Sequence, residues 1–349
     1  MANNEKRVSP VADEKELGID LGSANTVIFQ RGKGIVLREP SVISIDMRTD
    51  EVVSCGRDAQ DMIGKTPENI MTIKPIANGA VADLSACAAM LKYFLRKLLK
   101  GPSIRKPRVI ISVPASLTDV ERRAVEDAAK QAGISSVSLF EAPMAAALGA
   151  ELPVGAAKGS FVLNIGAGVS EAAVIALGDI VSSAGSKVGS SDIDTALISY
   201  MRKQYGLIIG RKAAEELKIK IGSAYHTSEN GFAEIRGRSA VDGLPRSYSV
   251  QGDEIRGIIQ PVVVRISELI AKCLEDAPAE LSADIFDSGI VLTGSGAELD
   301  GLADFISEYI GVKVIIPDRM RDCVAEGTGK ALDLVVSDRG VRRFKRNSI

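Results

Sequence analysis

Three segments of the chain share one pattern of hydrophobic and polar positions: an apolar run, a short glycine turn, and a second regular element. Residues 17–29 place apolar, β-forming side chains on both sides of a turn at 22–25, which predicts a β-hairpin. Residues 160–177 repeat this design around a turn that begins at Gly166. In residues 288–306 the run and its turn are followed by helical spacing, which predicts a strand that leads into a helix.

The first two segments are also similar in sequence. Residues 19–22 read Ile-Asp-Leu-Gly and residues 163–166 read Leu-Asn-Ile-Gly, so that Asp20 aligns with Asn164. This internal duplication is weak, but it predicts that the chain consists of two halves with similar folds.

A strand and a capped helix are predicted between these segments. Residues 108–113 form an apolar run that is typical of a buried strand. Thr118 and Glu121 have the spacing of a capping box, which predicts that a helix begins there. The helical pattern continues to Gln131, and Gly133 ends it.

Helical spacing of apolar residues recurs in the second half of the chain. Pro261 is expected in the first turns of the last of these helices, because proline is tolerated near a helix start. Strands that alternate with helices indicate an α/β protein with mixed sheets. The predicted helices cover residues 192–205, 212–221 and 253–275.

The composition is that of a globular protein with room for two domains of ordinary size, since the chain has 349 residues, 46% of them hydrophobic and 25% charged. A formal net charge of -2 gives no overall reason to expect a nucleic-acid partner. The four cysteines lack zinc-site spacing and indicate reduced, buried side chains in the cytoplasm. His226 is the only histidine, which excludes any site that needs two imidazoles.

Three polar or basic stretches bear on membrane contact. Residues 1–16 lack an apolar region, which predicts a flexible N-terminus without a signal peptide, and no apolar run approaches the ~20 residues of a spanning helix. The loop at 100–106 offers one large apolar residue, Ile104, among basic residues. Residues 336–349 form a basic tail with Phe344, which is either a solubilising tail or a contact for anionic lipid or a partner. We expect a soluble cytoplasmic protein, with peripheral contact at the inner face of the cell membrane left open.

The glycine turns have the chemistry of an anion site. Backbone N–H groups of such a turn point outward together, and glycine lets phosphate oxygens approach without a Cβ in the way. Asp20 precedes the first turn, where its carboxylate could hold the water shell of a Mg²⁺ that bridges two phosphates. A single glycine turn is more often a plain tight turn, but three in this order favour a polyphosphate site.

In these glycine turns and in several further segments, the chain resembles the MreB family of bacterial rod-shape-determining actin homologues. This family lies within the superfamily of actin, sugar kinases and the seventy-kilodalton heat-shock chaperones. The resemblance covers about residues 17–335, well beyond the turns, and indicates a divergent paralogue. The segments that carry it are residues 18–26, 33–42, 56–59, 122–125, 143–147, 214–219 and 283–294.

The resemblance implies an actin-like, two-lobed ATPase fold with four subdomains around a nucleotide cleft. Residues 17–150 would form the first lobe, with a small insert at about 41–76. Residues 151–335 would form the second lobe, with a small insert at about 188–247. ATP or ADP, with Mg²⁺, would occupy the cleft between the two lobes.

The resemblance also implies which residues contact the nucleotide, with Asp20 holding the metal through water. Without the family, Glu215 and Lys218 would read as a solvated pair at helical spacing. The implied residues are Asp20, Gly22, Ser23, Ala24 and Asn25 at the first turn, Gly166, Ala167 and Gly168 at the second, Glu215, Glu216, Leu217 and Lys218 on a helix, and Gly294, Ser295, Gly296 and Ala297 at the third turn.

The sequence departs from the family pattern at the positions that serve hydrolysis. Asn164 stands where the family has an Asp that helps to hold Mg²⁺, and Ala142 stands where it has a Glu that orients the attacking water. Glu141 is adjacent, but neighbouring side chains point in different directions, so it is not expected to substitute. No catalytic residue is therefore assigned, and hydrolysis is expected to be very slow or absent. Further departures are Ala167 and Ser295 in place of glycine and Val169 in place of threonine.

The function that the resemblance implies is a cytoskeletal protein that polymerises with itself and supports cell shape and cell-wall synthesis. A second hypothesis is a non-hydrolysing module that co-assembles with or regulates a standard MreB copy, with cell-wall elongation proteins as further candidate partners. A third is an active ATPase, against which Asn164 and Ala142 argue. A sugar kinase is the least favoured, because the resemblance extends outside the turns.

Overall fold

The computed structural model describes residues 16–99, 107–225 and 231–335. The predicted flexible N-terminus (apart from Glu16), the candidate membrane loop at 100–106, His226 and the basic tail at 336–349 lie outside the described residues. Among the helices that the structure describes, none has the length and apolar character needed to cross a membrane.

The first hairpin is the centre of a five-stranded mixed sheet. Its strands pair antiparallel, and the first of them also pairs in parallel with the strand predicted at 108–113, so the predicted hairpin and the predicted strand are both confirmed. The strand order is β10-β9-β1-β2-β3. These strands are β1 (Glu16–Leu21), β2 (Asn25–Gln30), β3 (Gly34–Pro40), β9 (Arg108–Val113) and β10 (Ser136–Glu141).

The second hairpin is the centre of a second five-stranded sheet with the same topology. Its order is β18-β17-β11-β12-β13, so the parallel and antiparallel neighbours of β11 match those of β1. The duplication predicted from residues 19–22 and 163–166 therefore extends to both whole sheets. The strands are β11 (Ser160–Ile165), β12 (Ser170–Ala176), β13 (Asp179–Ser186), β17 (Ile290–Thr293) and β18 (Val314–Ile315).

Each sheet is accompanied by a smaller three-stranded sheet, at positions near the two predicted inserts. The first, with strand order β5-β4-β6, is built from β4 (Ile43–Asp46), β5 (Glu51–Cys55), helix α1 (Arg57–Met62) and β6 (Ile70–Ile73), and a short hairpin of β7 (Ile76–Ala77) and β8 (Ala80–Val81) follows it. The second has the strand order β14-β15-β16 and consists of β14 (Leu207–Ile208), β15 (Phe232–Ser239) and β16 (Pro245–Gln251). Two helices belong to the same stretch of chain, α5 (Ser190–Tyr205) and α6 (Arg211–Ile221).

The remaining helices cover the large sheets, and the capping box is present as predicted, with Thr118 Oγ1 accepting from the Glu121 N–H. Pro261 is the one misplaced residue among these predictions. It is the tenth residue of its helix rather than part of the first turns, so the carbonyl of Gly257 lacks the usual N–H partner four residues on. These helices are α2 (Leu84–Leu98), α3 (Asp119–Gln131), α7 (Gly252–Glu275), α8 (Ala279–Ser288) and α9 (Leu302–Ile310).

Two short helices cross between the large sheets. Helix α4 (Ala142–Gly149) follows the first sheet but packs its alanines against β11 and β12 of the second. Helix α10 (Cys323–Val335) ends the described chain but packs on the first sheet, where a Cβ on Gly18 would lie 2.5 Å from Thr328 Oγ1.

The crossing of α4 and α10 depends on two glycines. A Cβ on Gly149 would lie 1.8 Å from the carbonyl oxygen of Cys323, and a Cβ on Gly327 would lie 1.8 Å from that of Ala145. Because real Cβ atoms do not come this close to backbone, the two helices pack at a separation that only glycine allows.

Candidate nucleotide site

A cavity of about 370 Å³ opens where the three glycine turns come together. This volume is within the range of small-molecule sites. Seven residues that the sequence assigned to nucleotide contact line it: Ala24, Asn25, Ala167, Glu215, Lys218, Ser295 and Gly296. The other lining residues include the basic side chains Lys74, Arg211 and Arg321 and the hydroxyls of Ser190 and Ser191.

The first turn is fixed by hydrogen bonds within β1–β2 and from its neighbours. The Gly22 N–H donates to the Asn25 carbonyl at 3.1 Å, and Ser41 donates its hydroxyl to the Gly22 carbonyl at 2.7 Å. Ser23 Oγ accepts from the Gly79 N–H at 3.0 Å, which joins this turn to the turn between β7 and β8. The turn is therefore held rigidly at the edge of the cavity.

Asp20 lies at the end of β1, just before this turn. Ser112, the residue directly beside it on β9, donates its hydroxyl to Asp20 Oδ1 at 3.1 Å. Burial raises the pKa of the Asp20 carboxyl to about 6, although the Ser112 hydrogen bond and Arg38 lower it. A cation near this carboxylate would relieve the cost of burying its charge.

The donor set of the described residues fits a water-coordinated ion rather than an all-protein metal cage. Those residues contain no group of three or more His, Cys, Asp or Glu side chains that could enclose a metal. Mg²⁺ commonly keeps most of its waters and takes one or two carboxylates together with substrate phosphates. Asp20 therefore fits the role that the sequence gave it, a contact with Mg²⁺ through water.

The second turn closes in the same way as the first and rests on a helix start. The Gly166 N–H donates to the Val169 carbonyl at 2.8 Å. The N–H groups of Ser190 and Ser191, at the start of α5, donate to the carbonyls of Gly166 and Ala167 at 3.0 and 2.9 Å. These bonds hold the turn between the cavity and the N-terminal end of α5.

Asn164 repeats the arrangement of Asp20 in the second sheet. Thr293 lies beside it on β17, as Ser112 lies beside Asp20, and donates its hydroxyl to Asn164 Oδ1 at 3.3 Å. The Asn164 amide is neutral, so it offers an N–H₂ group and a second lone pair of Oδ1 but no negative charge. The second sheet thus has, at the position that Asp20 holds in the first, a neutral amide in place of a carboxylate.

The third turn packs directly on the second hairpin. Gly294 has a φ of 87°, and a Cβ there would lie 2.3 Å from the Ile165 carbonyl oxygen. A Cβ on Gly296 would lie 2.2 Å from Ile165 Cγ2. Ala297 is buried beneath the turn, so the part of this segment that faces the cavity is Ser295 and Gly296.

Of the four residues of helix α6 that were predicted to contact the nucleotide, two line the cavity. Glu215 and Lys218 line it, whereas Leu217 is buried in the core beside the second sheet. Glu216 is exposed and is not among the described residues that line the cavity. Contact between α6 and a bound molecule would come from Glu215 and Lys218 and also from Arg211 and Ile219, which line the cavity as well.

Lys218 is already engaged in an ion pair. Its Nζ lies 2.7 Å from Asp194 Oδ1 of α5 and donates to the Ser190 carbonyl at 3.2 Å. Burial raises the pKa of Asp194, while Lys218 lowers it. This pair fixes α6 against the start of α5, so Lys218 acts here as a half-buried structural cation as well as a lining residue.

Ala142 offers the cavity no polar group. It is the first residue of α4, and its methyl group is buried with the other alanines of that helix. The adjacent Glu141 lies with its Oε1 3.4 Å from Arg122 Nη2, and its side chain is 42% exposed. Glu141 is not among the described residues that line the cavity, and that it does not substitute for the missing glutamate stays a prediction.

Sequence reasoning missed several polar residues around the turns. Ser112 and Thr293 bind the two aligned side chains, and Glu171 is buried opposite Asn164 on β12. The duplication was the signal that could have found the first two, because it aligns the strands that carry them. Glu171 follows the second turn within an apolar strand, and no simple pattern marks it.

The similarity to known proteins agrees with this geometry. The model of the MreB/Mbl protein family matches residues 14–339. The chain belongs to the MreB/Mbl family. Members of this family include cell shape-determining proteins, and the Mbl of Bacillus subtilis is 40% identical over 319 residues, which are 91% of this chain and 96% of that protein. The cell shape-determining protein MreB of Escherichia coli is 42% identical over 327 residues, 92% of this chain and 94% of that protein.

Solved structures give the same result for the fold. MreB5 of Spiroplasma citri bound to ADP matches with a TM-score of 0.87 and 30% identity, covering 93% of this chain and 99% of MreB5. MreB5 bound to AMPPNP matches equally well, with 31% identity. The MamK double helical filament, with a TM-score of 0.78, 17% identity and coverage of 92% and 99%, shows the fold alone. The MreB/Mbl chain therefore has the predicted actin-like, two-lobed fold with four subdomains.

Proposed function

We propose that this MreB/Mbl chain binds ATP or ADP with Mg²⁺ in its cleft and polymerises into filaments that support cell shape and cell-wall synthesis, with hydrolysis strongly impaired. The observation that carries the proposal is the convergence of three glycine turns on one cavity of about 370 Å³. MreB5, at 30% identity over almost the same length, has been solved with ADP, and MamK has been solved as a double helical filament.

The described residues of the cavity lining carry basic and acidic side chains in equal number, so a polyphosphate ligand would depend on the basic groups that are not in an ion pair with Asp194 or Glu298. Basic side chains line it from both large parts of the chain, Lys74 near the first sheet and Arg211 near the second. The N-terminal end of α5 lies beside the second turn and adds the positive end of a helix dipole. A phosphate chain would lie between the first and second turns, with the nucleoside end toward α6 and the third turn.

The proposal of impaired hydrolysis rests on what surrounds the two altered positions. In-line attack on a γ-phosphate needs a held water and a metal that takes up the developing charge. Ala142 presents only a buried methyl group, and Glu141 is paired with Arg122. Asn164 lacks the charge of a carboxylate, so of the two aligned positions only Asp20 provides one for the metal.

A second function fits the same observations. A subunit that holds ATP without turning it over would stabilise a mixed polymer, so this chain is also a candidate for co-assembly with a standard MreB copy. Co-sedimentation of the two proteins separates the hypotheses, because a self-sufficient filament protein pellets with nucleotide when it is alone. We place either activity in the cytoplasm, including the inner face of the cell membrane, without a nucleic-acid partner.

Loss of the Asp20 carboxylate is expected to weaken nucleotide binding. Asp20→Ala should lower Mg-ATP affinity about 10- to 100-fold, because a group that orients metal-bound water usually contributes that much to metal affinity. Isothermal titration of ATP and ADP with Mg²⁺ measures the change. Asp287→Ala is the matched control, since Asp287 is an exposed acid on α8. Equal affinity of the Asp20 and Asp287 variants would show that Asp20 does not serve the metal, and absence of binding by the wild type would refute the nucleotide site.

A further inference from the structure

Glu171 is a buried carboxylate that the nucleotide site does not use. It is the second residue of β12, only 3% exposed, and lies opposite Asn164 across the second hairpin. Strand β12 is otherwise apolar except for Ser170, so a charged residue here is costly unless it is hydrogen-bonded.

The partners of Glu171 belong to the other large sheet. Its Oε1 accepts from the Ala115 N–H at 2.8 Å, and the Ser116 N–H also donates to its carboxylate. These two amides lie in the loop after β9, the strand whose Ser112 binds Asp20. The Glu171 side chain of the second sheet therefore holds the loop that follows β9 of the first sheet.

The contact is close-packed as well as hydrogen-bonded. A Cβ on Gly185 of β13 would lie 3.2 Å from Ser116 Oγ and 3.7 Å from Glu171 Cγ. On the same loop, Pro114 Cγ would lie 2.7 Å from a Cβ on Gly79, as would Val169 Cγ2 of the second turn. The loop, the second turn and the β7–β8 turn thus meet in one close-packed contact.

The charges around Glu171 leave its protonation sensitive to pH. Burial raises the pKa of its carboxyl to about 7, Ala115, Ser116 and Arg122 lower it, and Glu141 raises it. The adjoining β11 and α4 contain no ionisable side chain, and β13 contains only Asp179, at its other end. The charged residues on the adjoining stretch of α7 are exposed: Arg265, Glu268 and Lys272.

We propose that Glu171 is a positioning residue that latches the 114–116 loop of the first sheet to the second phosphate hairpin, so that closure of the cleft around a nucleotide is linked to uptake of one proton. The inference about affinity rests on the proposed nucleotide binding, whereas the latch itself does not. In the closed cleft the carboxyl is buried, and in an opened cleft it would be hydrated with the ordinary pKa of a glutamate. Because the closed form has the higher pKa, a proton favours closure.

The sign of the effect follows from this linkage. Between the ordinary glutamate pKa and about 7 the closed form holds a proton that the open form does not. Affinity for a ligand of the closed cleft therefore falls as pH rises from 6 to 8, by up to about tenfold for one group with a bound-state pKa of about 7. Glu171→Gln keeps an acceptor for the Ala115 N–H but cannot ionise, so this component should vanish.

The test compares wild type with Glu171→Gln in ADP titrations at pH 6, 7 and 8. Asp20 and the phosphates of ADP also titrate, so the quantity measured is the ratio of the two affinities, in which those groups cancel. We expect the wild-type affinity relative to Glu171→Gln to fall up to about tenfold from pH 6 to pH 8. Glu126→Gln, which changes an exposed carboxylate on α3, should track the wild type. A constant ratio across this range overturns the linkage.

A second measurement keeps the latch testable without nucleotide. Hydrogen exchange of the Ala115 and Ser116 amides in the free protein, corrected for intrinsic rates, should become faster in wild type relative to Glu171→Gln as pH rises from 6 to 8. Glu171→Ala should expose these amides at every pH, and Glu171→Gln should restore protection. If ADP does not bind but this pH response appears, the latch stands and the nucleotide proposal fails. Exchange that is the same in all three proteins overturns the latch.

Discussion

The double variant Ala142→Glu with Asn164→Asp is expected to release phosphate from ATP at least about 10²-fold faster than the wild type, whose release should be near background. A single well-placed group that orients or activates water usually contributes about 10²–10⁴ in rate. The altered positions lie where such groups would act, since Ala142 begins α4 and Asn164 mirrors Asp20 in the duplicated strands. The measurement is a phosphate-release assay at equal polymer mass.

Three controls accompany this experiment. ATP affinity of the double variant shows that the cleft is still formed, and each single variant should recover less activity than the pair. Glu141→Gln in the wild-type background tests the adjacent carboxylate, which is paired with Arg122 and should have no effect. Wild-type release comparable to that of an ordinary MreB, abolished by Glu141→Gln, would show that Glu141 performs the role assigned here to the missing glutamate.

Gly327→Ala is expected to destabilise this chain strongly, as is Gly149→Ala at the other close contact of the same helix crossing. The new Cβ would lie 1.8 Å from the Ala145 carbonyl oxygen, so α4 and α10 would have to separate. Overpacking in a well-packed interior costs about 1–3 kcal/mol and sometimes more, and we expect about 3 kcal/mol or more here because the clash is with backbone. The midpoint of chemical unfolding should fall accordingly.

Gly257→Ala is the matched control for this prediction. Gly257 is also a helical glycine, but no atom beyond its chain neighbours and the nearby backbone of its own helix lies within 4 Å of the position that its Cβ would take. Alanine in an exposed helix position is favoured over glycine by about 0.5–1 kcal/mol, so this variant should be as stable as the wild type or slightly more. If Gly327→Ala behaves like Gly257→Ala, the close crossing of the two helices is wrong.

The sequence was sufficient for the parts of this fold that local patterns encode. Both hairpins, the capped helix α3 and the strand that leads into the third turn follow from apolar spacing, glycine position and the Thr118–Glu121 pair. The four-residue similarity around Asp20 and Asn164 also predicted the duplication, which the two sheets repeat strand for strand. These features depend on interactions between near neighbours in the chain.

Features formed by distant segments could not be predicted in the same way. Ser112 is 92 residues from the Asp20 that it binds, and Thr293 is 129 residues from Asn164. Glu171 finds its donors in the loop of another sheet, and α4 and α10 each pack on the large sheet other than the one that comes immediately before them in the chain. Long-range packing also determines where the side chains of α6 lie. The apolar Leu217 is buried in the core, whereas Glu215 and Lys218 line the cavity.

The nucleotide recovered from polymer tests the central claim most directly. Purified protein is incubated with Mg-ATP and sedimented at intervals, and the nucleotide in the pellet is extracted and separated into ATP and ADP. A filament protein with impaired hydrolysis should pellet with a near-stoichiometric content of nucleotide that remains ATP over hours. Conversion of the ATP in the pellet to ADP as polymer forms would contradict impaired hydrolysis. A protein that neither pellets nor retains nucleotide would contradict the proposed function as a whole.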